Sequence, residues 1–362
     1  MQTLHGYNLD ETQWRVGKGG QYNYATKDGK EYFIKRLTFP RYPVSDNFKG
    51  EFKQNKIDLC NEWLRHRQEI MDAIPGSGTG TIAKPIEIFR EGPCYYEVSY
   101  MIDTTSIPFE ELYKESVDDK RRIMLTVAMS LSDLHKKGII HGDLTPENIL
   151  IFRLPGRRNV VKIIGFEYAF FESEPPKSIS SEVEYQSPEV ILYNQAAASD
   201  ISSNPYLKDI SGKIDVYSLG LIFYRYCVGK LPIPETNSSG QKVYGEKSLM
   251  TDQAIEPEFR KIIAGMLHND PTKRPSMIGV QRMLLDLIPN DRLKIKGTLG
   301  PQINEKKNLF GDEEVPVTVV PGHGVQKAYI HPRNSRKVVL TFENGQNQIL
   351  DKDLAMWKGY VK

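Results

Sequence analysis

Over the first hundred positions, apolar residues come in short runs interleaved with polar ones, the period of two that predicts β-strands. The runs WRVGKGGQYNYA and EYFIKRL flank Lys27-Asp28-Gly29-Lys30, and an Asp-Gly pair between β-prone segments predicts a hairpin within residues 14–38. Residues 40–55 set Pro40, Pro43 and Gly50 among polar side chains and read as a loop insertion. From Lys56 to Ile74 the period lengthens, and Cys60, Trp63, Leu64, Ile70, Met71 and Ile74 fall on one side of a helix. PGSGTG ends that helix, and IAKPIEIFR and CYYEVSYMI predict two further strands.

Beyond Asp103 the pattern is helical. Residues 116–137 align Val117, Ile123, Met124, Val127, Leu131 and Leu134 on one stripe. Asp118 and Asp119 open this helix, and Lys136, Lys137 and Gly138 close it, as the helix dipole and a glycine C-cap favour. More helices are predicted over 214–229, 256–268 and 276–288, while the small, polar stretch 193–212 reads as a mobile loop. KIKGTLGPQINEKKNLFGDEE reads as a linker. After it, VPVTVV, KAYI, KVVLTF and NQIL predict four short strands, with turns at Arg333-Asn334-Ser335 and Asn344-Gly345.

Composition narrows the class. A chain of 362 residues that is 39% hydrophobic and 26% charged suffices for one two-lobed domain with a small appendage. A net charge of +2 gives no reason to expect nucleic acid or a membrane surface as partner. No stretch approaches the ~20 apolar residues a membrane span needs, and MQTLHGYNLDETQW lacks the form of a signal peptide. Cys60, Cys94 and Cys227 are far apart and in no metal-ligand spacing, so they read as free thiols of a cytoplasmic protein. In the C-terminal strands, Lys327, Arg333, Arg336, Lys337, Lys352 and Lys358 accompany Tyr329, Trp357 and Tyr360. They read first as solvated surface around a small core, with a surface for a peptide, a partner or nucleic acid as the alternative.

Candidate chemistry begins at Val16-Gly17-Lys18-Gly19-Gly20, where glycines after a strand let backbone N–H groups approach phosphates. Taken alone, that segment is more commonly a glycine-rich hairpin turn. The order of later motifs distinguishes the two. Tyr32-Phe33-Ile34-Lys35 precedes His141-Gly142-Asp143-Leu144-Thr145-Pro146-Glu147-Asn148, and Ile163-Ile164-Gly165-Phe166-Glu167 follows. Ser187-Pro188-Glu189, Asp215-Val216-Tyr217-Ser218-Leu219-Gly220 and Asp270-Pro271-Thr272-Lys273-Arg274-Pro275 complete the series.

In this order the motifs resemble those of eukaryotic-type protein kinases, over roughly residues 10–290. The resemblance implies an α+β, two-lobed fold with N-lobe 1–103 and C-lobe 104–290, and the shift in composition beyond it gives a linker over 291–314 and a small all-β module over 315–362. It implies ATP and Mg as cofactors and a protein as substrate or partner. By the resemblance, Lys35 meets nucleotide phosphates, Val16, Gly17 and Gly19 cover them, and Ser99, Tyr100 and Ile102 line the hinge. Asp143 accepts a hydroxyl proton and Asn148 holds a metal ion, while Asp215 braces the loop and Arg274 pairs with Glu189.

The departures fall on metal and phosphate handling. Gly165 stands where the family's metal-binding aspartate does, Thr145 replaces a lysine, Tyr22 a glycine and Gly142 an arginine. Glu167 is two residues away and could serve the metal instead, or be a surface glutamate. For the partner of Lys35 on the preceding helix, spacing to the hinge favours Glu69, with Glu62 on the same polar face; the apolar pattern favours Arg67, which would repel Lys35. Ser178, Ser180 and Ser181 are candidate phosphorylation sites without an obvious phosphate receptor. The expected function is a nucleotide-binding pseudokinase with a regulatory or partner-binding role. The alternative is an active Ser/Thr-type protein kinase, with Gly165 a disabled aspartate or its metal held unusually.

Overall fold

A computed structural model describes residues 2–10, 13–17, 20–44, 49–74, 81–102, 106–154, 158–196, 201–236, 242–288, 319, 325–330, 337–343 and 347–351. The chain divides into two compact units, residues 1–77 with 81–287, and residues 288–362 with 78–80.

The first unit begins with an antiparallel sheet. Its strands are β1 (Thr3–Leu4), β2 (Tyr7–Leu9), β3 (Arg15–Gly17), β4 (Gly20–Lys27), β5 (Lys30–Leu37), β6 (Glu87–Glu91) and β7 (Cys94–Tyr100). The order is β1-β2-β4-β5-β7-β6, with β3 paired to β4. Asp28 and Gly29 both have positive φ (52° and 69°), as a two-residue hairpin turn requires, so the Asp-Gly signal sits where the turn is. Alternation sorts the two faces. Tyr7, Leu9, Ala25, Tyr32, Ile34, Phe89, Tyr96 and Val98 form a buried core. Tyr22, Lys35 and Glu97 are register partners on the opposite face, as are Tyr24, Phe33 and Ser99. The β1–β2 hairpin was not evident from its five strand residues. Its Tyr7 hydroxyl donates to Glu87 Oε2 at 2.6 Å, and His5 stacks on Phe89 at 4.3 Å, which brings it to β6 at the far edge.

Helix α1 (Gly50–Ala73) starts six residues before the sequence expectation, inside the stretch read as loop. It buries Cys60, Ile70 and Met71 with one charged residue, Arg67. Lys84 donates to the carbonyls of Met71 and Ile74 at 3.0 and 3.1 Å, satisfying the open end of the helix.

The helical half is built on α2 (Val117–His135), whose N-cap Ser116 accepts from the Asp119 N–H at 3.1 Å. Its Ile123, Met124, Val127, Leu131 and Leu134 are buried as the stripe predicts. Strands β8 (Ile139–Ile140), β9 (Ile149–Leu154), β10 (Arg158–Ile163) and β11 (Phe170–Phe171) follow as two ribbons, β9 with β10 and β8 with β11. Next come α3 (Pro188–Gln195), α4 (Lys213–Val228), a small ribbon of β12 (Glu235–Thr236) and β13 (Lys242–Val243), α5 (Glu246–Thr251), α6 (Pro257–Met266) and α7 (Met277–Asp286). The segment read as a mobile loop instead holds short helical turns at Ile201–Ser203 and Leu207–Asp209. Tyr206, Leu207 and Ile210 pack there against Val190, Tyr193 and Ile214, a cluster hidden from sequence by the polar residues around it. No helix among the described residues is long and apolar enough to cross a membrane.

In the second unit, β14 (Val325–Ile330), β15 (Lys337–Phe342) and β16 (Asn347–Asp351) form an antiparallel sheet. Ala328, Val338 and Leu340 are its buried core. VPVTVV lies outside the described residues apart from Val319, as do the linker and both expected turns.

Candidate active site

Pairing of β8 with β11 places the loop 141–148 beside the segment 164–170, and a buried aspartate rigidifies that loop. The Asp215 carboxylate accepts from the backbone N–H groups of His141 (2.8 Å) and Gly142 (3.0 Å), and His135 Nε2 lies 2.9 Å away. Burial alone would raise the Asp215 carboxyl, but His135, His141 and these N–H donors hold it below its ordinary value. Gly142 has φ 76°, and a Cβ there would stand 2.8 Å from the Tyr168 carbonyl oxygen. Glycine is thus what lets the two segments touch, and no arginine fits this loop as it stands.

Asp143 is 2% exposed. The Asn148 amide donates to the Asp143 carbonyl at 2.8 Å, and the Glu182 N–H donates to Asp143 Oδ1 at 3.2 Å. The Asp143 carboxylate is therefore covered by the segment that precedes α3. Ser178 and Ile179 in that segment bond to Asn194, and Tyr193 donates to the Pro176 carbonyl, so α3 holds it in place. Thr145 is fully buried, and its hydroxyl has no hydrogen-bond partner among the described residues.

Gly165 takes a left-handed backbone, φ 80° and ψ 47°. A Cβ on it would lie 2.6 Å from Asn148 Cγ and 2.8 Å from Asn148 Nδ2. Asn148 thus occupies the place that a side chain at 165 would need. Magnesium wants a near-octahedral shell of oxygens. Gly165 supplies none, Glu167 is engaged by Lys35, and no cluster of three acidic, His or Cys side chains suited to a metal occurs among the described residues. The residues present do not fit the magnesium site that the resemblance implies.

Charges above this loop pair differently from the expectation. Lys35 forms an ion pair with Glu167, both side chains about one-sixth exposed (15% and 16%). Burial pushes the Glu167 carboxyl up, but Lys35, its own backbone and Arg67 outweigh this and hold it low. Glu69 and Glu62 are exposed on α1, and Glu69 pairs with Arg65 at 2.5 Å, so neither is the partner of Lys35. Arg67 occupies the inward position, as the apolar pattern of α1 favoured. It does not stand unopposed against Lys35, because its Nε donates to Glu97 Oε1 at 2.6 Å, with both side chains buried. Glu97 was missed from sequence. Its signal was a lone charge inside the apolar strand CYYEVSY, which requires a buried partner.

The roof beneath β3–β5 is aromatic. Tyr22 and Phe33 stack at 5.3 Å, Tyr24 and Phe33 lie 6.0 Å apart, and a Cβ on Gly17 would meet the Tyr22 ring at 3.0 Å. Val16 is exposed, and Gly19 lies outside the described residues. Ser99 is half-buried opposite Phe33, Tyr100 is exposed and stacks on Tyr32, and Ile102 is half-buried. Structural support lies lower down, where Arg274 pairs with Glu189 through two bonds of 2.6 and 2.8 Å in a buried setting.

Comparison with known proteins supplies the family. A family model described as the protein kinase domain matches residues 71–284. The chain is 29% identical over 156 residues to the serine/threonine-protein kinase ULK3 of Xenopus laevis, covering 42% of this chain and 30% of that protein. It is 29% identical over 161 residues to an Aurora kinase of Candida glabrata, covering 43% and 39% respectively. Against the serine/threonine-protein kinase pkn3 of Myxococcus xanthus it is 26% identical over 231 residues, covering 56% and 39%. These matches span well under half of each relative's own length.

Proposed function

Because this chain belongs to the protein kinase family, whose members generally use ATP and Mg, we propose that it is a pseudokinase. In this reading residues 1–103 and 104–290 act as the two lobes and bind a nucleotide without catalysing useful phosphotransfer. The protein works by the conformation it presents to a partner protein. Nucleotide phosphates meet Lys35, and the base stacks beneath the rings of Tyr22, Tyr24 and Phe33. The observation that carries this reading is the state of the phosphate-handling groups. Lys35 is neutralised by Glu167, and position 165 has neither a donor atom nor room for one. Phosphoryl transfer depends mostly on positioned cations, so losing them removes most of the rate. The buried free thiols Cys60, Cys94 and Cys227 support a reducing, cytoplasmic location.

One observation favours an active Ser/Thr-type kinase instead. Asp143, Asn148 and Lys35 are all present, and Asn148 touches Asp143 as a catalytic pair would. Two measurements separate the readings. A thermal-shift titration with ATP, with and without magnesium, reports occupancy by mass action. A pseudokinase of this kind is stabilised equally in both. Incubation with labelled ATP and a generic protein acceptor reports chemistry, and robust transfer that vanishes in Asp143→Asn would sink the pseudokinase reading.

A further inference from the structure

Four charges meet around Lys35, two positive and two negative, on four different elements: Lys35 on β5, Glu97 on β7, Arg67 on α1 and Glu167 after β10. Their pairing is uneven. Arg67 is 3% exposed, yet only its Nε is bonded, to Glu97; Nη1 and Nη2 have no hydrogen-bond partner among the described residues. Buried donors left unmade are costly, so such a pair of open N–H arms calls for a second acceptor. Glu167, the ion-pair partner of Lys35, is an acceptor close enough for Arg67 to help hold its carboxyl low. Meanwhile Lys35 and Glu97 are direct cross-strand partners on one face of the sheet, so the same four groups admit a second pairing.

We infer that Arg67 is the reserve partner of Glu167: when a phosphate-bearing ligand takes Lys35, the carboxylate passes to the open guanidinium arms while Nε stays on Glu97. The ligand-binding step rests on the nucleotide reading above; the exchange of partners does not. A guanidinium suits this task because its rigid fork can serve two carboxylates at once, whereas an ammonium is a single point charge. The exchange keeps Glu167 compensated, so phosphate binding does not strand a buried anion. It also ties α1 to the segment after Gly165 only when the cleft is filled. An arginine at this helical position would then be the means by which occupancy is read, with the ligand selecting one of two pairings.

Thermal unfolding of single and double variants tests the exchange without any ligand. Lys35→Met imitates withdrawal of the ammonium, and Arg67→Lys keeps one charge for Glu97 but removes the fork. Arg67→Lys is expected to lower the melting temperature roughly twice as far in the Lys35→Met background as in the wild type. That excess is expected to vanish when Glu167→Gln is added. Equal falls in both backgrounds, or an excess that survives Glu167→Gln, would overturn the proposal, since a role confined to Glu97 predicts them. Magnesium-free ATP titration supplies the second arm, which also holds if Lys35→Met does not fold. Arg67→Lys is expected to weaken ATP binding about tenfold, the equivalent of one charge-assisted pair, and equal affinity would overturn the coupling to ligand. A wild type that takes no ATP at all would end the nucleotide reading, and the unfolding cycle would still decide the exchange.

Discussion

The carboxamide of Asn148 lies against Gly165 so closely that a Cβ at 165 would come within 2.6 Å of Asn148 Cγ. The glycine at this position is therefore accompanied by a local packing that leaves no room for a side chain. Gly165 also has φ 80°, where a side chain is strained whatever the space.

Gly165→Ala is accordingly expected to destabilise the protein by about 1–3 kcal/mol, the range for a strained backbone or a forced contact. Urea denaturation measures it. Adding Asn148→Ala should recover part of the loss, because the collision goes and the backbone strain stays. No recovery would show that Asn148 is not the obstacle.

Lys35 is paired with Glu167, so in the nucleotide reading Glu167 competes with phosphate for it. In the Arg67→Lys background, where no reserve partner offsets the exchange, Glu167→Gln is expected to tighten magnesium-free ATP binding about tenfold, one charge-assisted pair's worth of competition removed. Isothermal titration checks this. Unchanged or weaker binding would mean that Lys35 does not meet the phosphates.

Acid should loosen the site in a defined direction. The folded-state values of Glu167 and Asp215 both lie below their ordinary values. Such groups contribute stability that is fully present above the unfolded carboxylate range and is lost as pH falls through the folded values. Stability measured by denaturant titration should thus fall as pH is lowered below the ordinary carboxylate range. Asp215→Asn should be less stable at neutral pH and show a shallower acid slope; an unchanged slope would remove Asp215 from the account.

Arg274 is fully buried in its side chain and holds Glu189 by two bonds. Glu189→Gln leaves that guanidinium short of its counter-charge, and breaking such a pair costs about 3–5 kcal/mol. The expected result is a large fall in melting temperature. ATP affinity per folded molecule should not change. A selective loss of ATP binding with stability intact would contradict the structural role given to this pair.

Much of this was legible before any coordinates. The stripe of Ile123, Met124, Val127, Leu131 and Leu134 located α2, and the Asp28-Gly29 turn located the β4–β5 hairpin, because both signals are local. The order of His141–Asn148, Gly165, Glu189, Asp215 and Arg274 carried the resemblance to protein kinases, and the family model over residues 71–284 bears that family out. Other features escaped. The β1–β2 hairpin is too short to show a period, and the turns at 201–209 carry their few apolar residues among polar ones. The start of α1 at Gly50 was hidden by the polar residues of its first turn.

By itself, the sequence determined the kinase-type order of elements, the presence of Asp143, Asn148 and Lys35, and the absence of an acid at 165. Only the tertiary structure decided which charges meet. Lys35 and Glu167 are 132 residues apart, and Arg67 and Glu97 are 30 apart. Helical spacing says which face of α1 a residue occupies, but the identity of a buried ion's partner depends on what the fold brings within a few ångströms. The same limit applies to Gly165: its letter shows that no side chain stands there, and only packing shows that Asn148 fills the space.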